Sequence, residues 1–159
     1  MGRHRRSVSG RMGRNIISGQ RVGEWVANEL GIGYLASRSQ AIGLEKDGEI
    51  IAGIVYENWT GRSIVCHMAF PNPITARFLS AIFDYAFNVC KVEKVIGFTP
   101  AANVKAQKLV EKMGFSTEGR IKDVYPDGDM ILNTMAKENC RYLGKRYGQE
   151  KHNTTTRHA

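Results

Sequence analysis

The chain has 159 residues, 42% of them hydrophobic and 9% aromatic, with a formal net charge of +8. It is long enough for one hydrophobic core, too short for two comfortable domains, and too apolar to be disordered throughout. No run approaches the roughly 18 apolar residues that a membrane-spanning helix requires, so membrane insertion is not expected.

The charge is unevenly placed. Residues 1–23 carry six arginines and no acid, and residues 137–159 carry six Lys or Arg against two Glu. The stretch between them is nearly neutral, with eleven basic and thirteen acidic residues. The expected organisation is a basic flexible arm over 1–17, a single domain over 18–147 and a polar tail over 148–159. An arginine arm punctuated by Gly and Ser suits the phosphate backbone of RNA or DNA through a salt-dependent attraction. It equally suits the acidic face of a protein partner, where Arg makes bidentate carboxylate contacts, or a plain solubilising tail. The N-terminus lacks the apolar segment of a signal peptide. Cys66, Cys90 and Cys140 are odd in number and form no CxxC knuckle. Both features predict a cytoplasmic protein without disulfides.

In chain order, Val22, Trp25, Val26 and Leu30 recur at helical spacing and predict a helix over 20–30, ended by Gly31 and Gly33. Two turn signals, Lys46-Asp47-Gly48 and Asn58 to Gly61, then divide three apolar stretches. They predict an antiparallel meander with strands near 40–45, 49–57 and 62–70. Ile74, Phe78, Ala81, Ile82, Tyr85 and Val89 form a stripe that predicts one helix over 74–90, with Pro73 at its entry. "VEKVIGFTP" predicts a further strand, and 103–113 another helix. That helix turns Ala106, Leu109, Val110 and Met113 to the core and Lys105, Lys108 and Lys112 to water, with Gly114 as a left-handed cap and Phe115 beyond it. "GRIKDVY" and "DMILNTMA", joined by "PDGD", predict a closing hairpin. The order predicts an α+β fold, a mixed central sheet flanked by helices.

The segment "GFTPAANVKAQKLVEKMGFSTEGRIKDVYPDGD" resembles the C-terminal half of the GCN5-related N-acetyltransferase (GNAT) superfamily, especially its ribosomal-protein-acetyltransferase-like branch. The matching residues are Asn103, Glu111, Lys112, Gly114, Phe115, Glu118, Gly119, Arg120 and Asp129. The coarse element order is similar over roughly residues 20–136. The resemblance implies a GNAT-like acyltransferase fold and acetyl-coenzyme A as cosubstrate, with direct transfer to an amine of a protein, peptide or small molecule. It also implies a cofactor lying along the end of the strand before this helix and along the helix start, and a homodimer as the assembly to test. Asn103 then becomes a site residue, and Lys105 and Lys108 candidates for cofactor phosphate. The ordinary structural reading is that Asn103 caps the helix and the lysines are solvated.

The superfamily commonly places a Gln/Arg-x-x-Gly-x-Gly/Ala loop after its fourth strand to cradle pyrophosphate. Here the matching stretch is "AFPNPITARFLS", with no glycine and two prolines. Backbone amides at Thr75, Ala76 and Arg77 are the remaining candidates there, with the Arg77 side chain adding charge. The resemblance further implies a fourth-strand backbone donor to the thioester carbonyl, at Met68, Ala69 or Phe70.

Amine acetylation needs a neutral nucleophile, a donor to the developing oxyanion and a proton source for the departing thiolate. His67, on one face with Val65 and Ala69, is a candidate general base near neutral pH. Glu57, at the end of the second meander strand, is the alternative. Where many acetyltransferases carry a Tyr acid before "EKxGF", this chain has Val110, leaving Tyr85, Tyr125 or water for that role. Cys66 and Cys90 have no His partner at a motif spacing and read as buried small hydrophobes. No HExxH, GxxxxGK[ST] or GxSxG motif is present, so no metal site is expected. The opposing reading is a noncatalytic GNAT-fold interaction module that binds nucleic acid or an acidic protein through its arms.

Overall fold

The computed structural model describes residues 13–144. The arm up to residue 12 and the polar tail over 148–159 lie outside the described residues, and with them most of the expected nucleic-acid- or partner-binding arginines. Seven strands form one mixed sheet: β1 (Arg14–Ser18), β2 (Gln40–Lys46), β3 (Glu49–Glu57), β4 (Ser63–Ala69), β5 (Lys94–Pro100), β6 (Ser116–Tyr125) and β7 (Gly128–Ala136). Their spatial order is β1-β2-β3-β4-β5-β7-β6. All neighbours are antiparallel except β4 and β5, which run parallel. The helices are α1 (Gln20–Leu30), α2 (Ala76–Asp84) and α3 (Val104–Met113).

The meander and its turns follow local chemistry. Asp47 and Gly48 both take positive φ, 53° and 82°, in the two-residue turn between β2 and β3. That is the twist-matched geometry an Asp-Gly pair favours. Asn58 and Gly61, at φ 54° and 86°, turn the chain from β3 into β4. One strand escaped the sequence pattern. Arg14–Ser18 pairs antiparallel with β2, from Arg14 opposite Lys46 to Ser18 opposite Ile42, so the sheet begins inside the stretch expected to be a flexible arm. Five residues with two adjacent isoleucines show no period-2 alternation; the strand forms because β2 offers it an edge.

The two faces of the sheet are covered differently. On one, α1 buries Val22 and Val26 completely against Val55, Ala41 and Ala69. The helix comes close because Gly43 and Gly53 have no side chain beneath it. A Cβ at Gly53 would lie 2.6 Å from Val26 Cγ2. On the other face, α2 and α3 cover the larger core, where Phe78, Ile82, Phe87 and Val92 are fully buried and Met113, Phe115 and Tyr142 nearly so. A fully buried side chain of this kind contributes about 1.5–3 kcal/mol.

The stripe expected to give a single helix over 74–90 is divided. Thr75 caps α2, its Oγ1 accepting from the Phe78 amide at 3.1 Å, so Pro73 precedes the cap and does not occupy the first turn. After Asp84 the chain widens into a π turn over Tyr85–Val89, closed by the Cys90 amide donating to the Tyr85 carbonyl at 2.8 Å. Periodicity is blind to such a turn, since one extra residue shifts the stripe without removing its apolar members. No helix among the described residues is long and apolar enough to cross a membrane.

Candidate active site

The parallel pair at the centre of the sheet does not stay together. β4 and β5 pair from Ser63 opposite Lys94 to Cys66 opposite Gly97 and no further. β4 nevertheless runs on to Ala69 and β5 to Pro100. Each is held on its other side, β4 by β3 through Ala69 opposite Gly53, and β5 by β7 through Pro100 opposite Met130. The strand ends therefore part, and the side of β4 turned towards β5 has no ladder beyond Cys66. Main-chain groups there are available to a ligand.

α3 spans this opening. Beneath it is a small enclosed space of about 70 Å³, bordered by Met68, Gly97, Thr99, Leu109 and Val110. Asn133 Nδ2 donates to Thr99 Oγ1 at 3.0 Å at its buried end. Beside it runs a larger cleft of about 610 Å³ between the end of β4 and the outer side of α3. Met68, Ala69, Phe70, Asn103, Lys105 and Lys108 all line it, so the sequence-predicted cofactor residues of strand and helix meet at one place. The cleft also takes in Lys112, Glu29, Leu30 and the segment Pro71 to Pro73, which the sequence reading had not assigned to the site. Lys112 was legible as the third lysine on the exposed face of α3. Glu29 and Leu30 were not, since only the fold brings the end of α1 to the end of β4.

Thr75, Ala76 and Arg77 begin α2 and are not among the residues lining this cleft. Thr75 Oγ1 is engaged in capping, while the first amides of any helix lack an intrahelical partner. The positive charge at the cleft comes from the α3 lysines. Asn103 has the capping role that local chemistry predicts, its Oδ1 accepting from the Ala106 amide at 3.0 Å. Gly114 closes the helix in the left-handed region at φ 107°, and the Phe115 amide returns to the Val110 carbonyl at 3.0 Å.

The two candidate bases are joined. His67 Nε2 and Glu57 Oε1 lie 2.7 Å apart, with side chains 19% and 33% exposed. His67 stands opposite Val55 in the β3–β4 ladder, on the α1 face, while Met68 faces the cleft under α3. The Phe98 ring from the parted end of β5 sits 6.4 Å from the imidazole, centroid to centroid.

Neither tyrosine considered as an acid reaches the cleft. Tyr85 lies on the π turn, where burial, with Cys90 beside it, pushes its phenol up to about 12. Tyr125 is at the hairpin end opposite Gly128. Burial likewise pushes the Cys66 thiol up to about 12, which makes it an inert core residue. Cys90, expected to be buried, is only partly so.

Neither protein-family models nor curated protein sequences give a match to the chain. Solved structures do. A variant of spermidine N-acetyltransferase SpeG from Vibrio cholerae superposes with a TM-score of 0.66 at 14% identity, covering 83% of this chain and 97% of that one. The same enzyme in complex with CoA and spermine gives 0.63 at 15% identity, covering 82% and 98%. The N-acetyltransferase PseH from Campylobacter jejuni, in complex with acetyl coenzyme A, gives 0.50 at 25% identity, covering 64% and 70%. These neighbours do not single out the ribosomal-protein-acetyltransferase-like branch. The element order, the parted parallel strands and these superpositions together show that the chain has the GNAT-like acyltransferase fold, a mixed α+β sheet flanked by helices.

Proposed function

We propose that the protein is an acetyl-coenzyme A-dependent N-acetyltransferase that passes acetyl directly to an amine of a protein, peptide or small molecule. The observation that carries this reading is the parting of β4 and β5 after Cys66 and Gly97, which opens a cleft lined by Met68–Phe70 on one side and by Asn103, Lys105 and Lys108 on the other. Bound acetyl-coenzyme A supplies an acetyl thioester, whose carbon–sulfur bond breaks as the new carbon–nitrogen bond forms. The free edge of β4 at Met68–Phe70 offers main-chain N–H groups to the carbonyl oxygen. Lys105, Lys108 and Lys112 supply charge for phosphate in place of a glycine loop. When His67 Nε2–H donates to Glu57, its Nδ1 is left to take the proton that the acceptor ammonium must lose. The departing thiolate takes a proton from water, since no tyrosine among the described residues lines the cleft. The "EKMGF" and "EGR" segments support a relative of the ribosomal-protein-acetyltransferase-like branch within the superfamily.

Titration calorimetry with acetyl-coenzyme A, alongside desulfo-coenzyme A, tests this directly. Saturable one-to-one binding in the micromolar range is expected, weakened roughly 30-fold in the Lys105→Ala/Lys108→Ala double variant, each charged contact being worth about 1 kcal/mol. No saturation up to millimolar cofactor overturns it. A second reading, a noncatalytic interaction module, draws on Val110 at the position of the expected acid and on the prolines at 71 and 73 that bound the cleft. It predicts no acetyl transfer to any amine, whether or not the cofactor binds.

A further inference from the structure

The enclosed space of about 70 Å³ beneath α3 has no part in holding the coenzyme, yet it adjoins the cleft that would. The two share Met68, Ala106 and Leu109, and the space reaches inward to Gly97, the residue at which β5 last pairs with β4. Protein interiors hold few voids larger than a water molecule. At about 30 Å³ for a water, this one has room for about two groups of that size.

Gly97 keeps the space open, and nothing in the fold requires a glycine there. Its backbone does not lie in the left-handed region, and it sits within a central strand, where a missing side chain weakens the sheet. A Cβ at Gly97 would find Phe115 Cε1 at 3.9 Å and the Asn133 carbonyl at 4.0 Å, which are ordinary contacts. Gly43 and Gly53 differ, because a Cβ at either would strike α1, at 2.9 Å from Val22 and 2.6 Å from Val26. A strand glycine that neither backbone geometry nor a packed neighbour demands marks a close approach by another molecule. The character of the wall says what kind. Met68, Leu109, Val110, Met113 and Phe115 are apolar, no charged side chain lines the space, and its polar pair is already joined, Asn133 Nδ2 donating to Thr99 Oγ1 at 3.0 Å. Hydrocarbon suits such a wall, whereas an ionised group finds no counter-charge.

We propose that this space receives the acyl chain beyond its second carbon, so that propionyl- and butyryl-coenzyme A are cosubstrates and butyryl fills the space. The thioester carbonyl lies against the free edge of β4 at Met68–Phe70, and the third and fourth carbons pass between Met68 and Gly97 beneath α3. Gly97 and Val110 set the chain length, since both line the inner space and neither lines the cleft. This rests on the acetyltransferase reading for the cleft that holds the thioester, and extends it to the group transferred.

The test is calorimetric titration of the full chain with acetyl-, propionyl-, butyryl- and octanoyl-coenzyme A. Each methylene removed from water is expected to tighten binding about fourfold, so butyryl-coenzyme A binds about 15-fold more tightly than acetyl-coenzyme A. Octanoyl-coenzyme A, whose chain exceeds the space, loses that gain. Gly97→Ala and Val110→Leu each put one more carbon into the space. Both cut the advantage of butyryl over acetyl to about fourfold or less, with acetyl-coenzyme A affinity close to that of the parent. Gly97→Ala also melts no lower than the parent, which separates a filled space from a damaged fold. Equal affinity for acetyl- and butyryl-coenzyme A in the parent, or an undiminished butyryl advantage in both variants, overturns the inference and leaves the transferase reading standing. Continued tightening at octanoyl-coenzyme A overturns it too, since a tail lying on the surface has no length limit. Failure of all four to saturate up to millimolar concentration removes the transferase reading and the inference with it.

Discussion

His67 and Glu57 are ten residues apart in sequence and diagonal neighbours across β3 and β4, and the 2.7 Å contact makes them one unit. In the proposed mechanism Glu57 is the orienting group that selects which imidazole nitrogen carries the proton. On the acetyltransferase reading, His67→Ala lowers kcat about 100-fold while leaving the acetyl-coenzyme A dissociation constant unchanged, because His67 is not among the residues that line the cofactor cleft. Steady-state kinetics beside calorimetry checks both halves. Other residues singled out by the resemblance have structural duties. Glu118 pairs with Lys94 at 3.0 Å across the intervening β7, and Arg120 pairs with Asp129 at 2.6 Å within the hairpin. Both contacts brace the last three strands.

Two elements carry measurable consequences. α1 reaches β3 only because Gly53 leaves room for Val26, and a methyl there would sit 2.6 Å from the valine Cγ2. Gly53→Ala should cost about 1–3 kcal/mol through overpacking, read as a lower denaturant midpoint with an unchanged slope. In the β6–β7 hairpin, the Arg120 guanidinium, helped by the Asp123 amide, holds the Asp129 carboxyl below the usual carboxylate range. The depressed value means that the stabilising contribution is present above about pH 4 and is lost as pH falls through the lowered folded value. Asp129→Asn should therefore melt below the parent at pH 7, with the gap closing as the pH falls below about 4. Thermal melts across that range measure it. Asp123 itself sits at φ 55° in the irregular stretch between Ile121 and Tyr125, where its amide reaches Asp129 Oδ1 at 3.1 Å. The same carboxylate thus fixes both the ion pair and the bend of the strand.

For the whole molecule, the basic charge and the candidate site separate along the sequence. The described body contains the cleft, whereas Arg3, Arg5, Arg6 and Arg11 lie in the segment before residue 13. Deleting residues 1–12 should leave acetyl-coenzyme A binding unchanged. If the arm engages a polyanion, the same deletion removes RNA binding that weakens with added salt in the full chain. Electrophoretic mobility shift at two salt concentrations, beside calorimetry, checks both expectations.

By itself the sequence determined whatever depends on near neighbours. The helix over 20–30, the three meander strands, the Asp47-Gly48 turn, the Asn103 cap and the Gly114 stop all follow from propensities and hydrogen bonds spanning four residues or fewer. The resemblance in 103–129 pointed to the fold and to the helix that borders the cleft. Only the tertiary structure decided the rest. β1 exists because β2 has a free edge, and the π turn because α2 must deliver its aromatic residues to a core already shaped by the sheet. Glu29 and Lys112 share a cleft, and Glu57 meets His67, only once strands remote in sequence have taken their register. Contacts of that kind carry no periodic signal, because their geometry is set by how separate segments pack and not by the order of residues within any one of them.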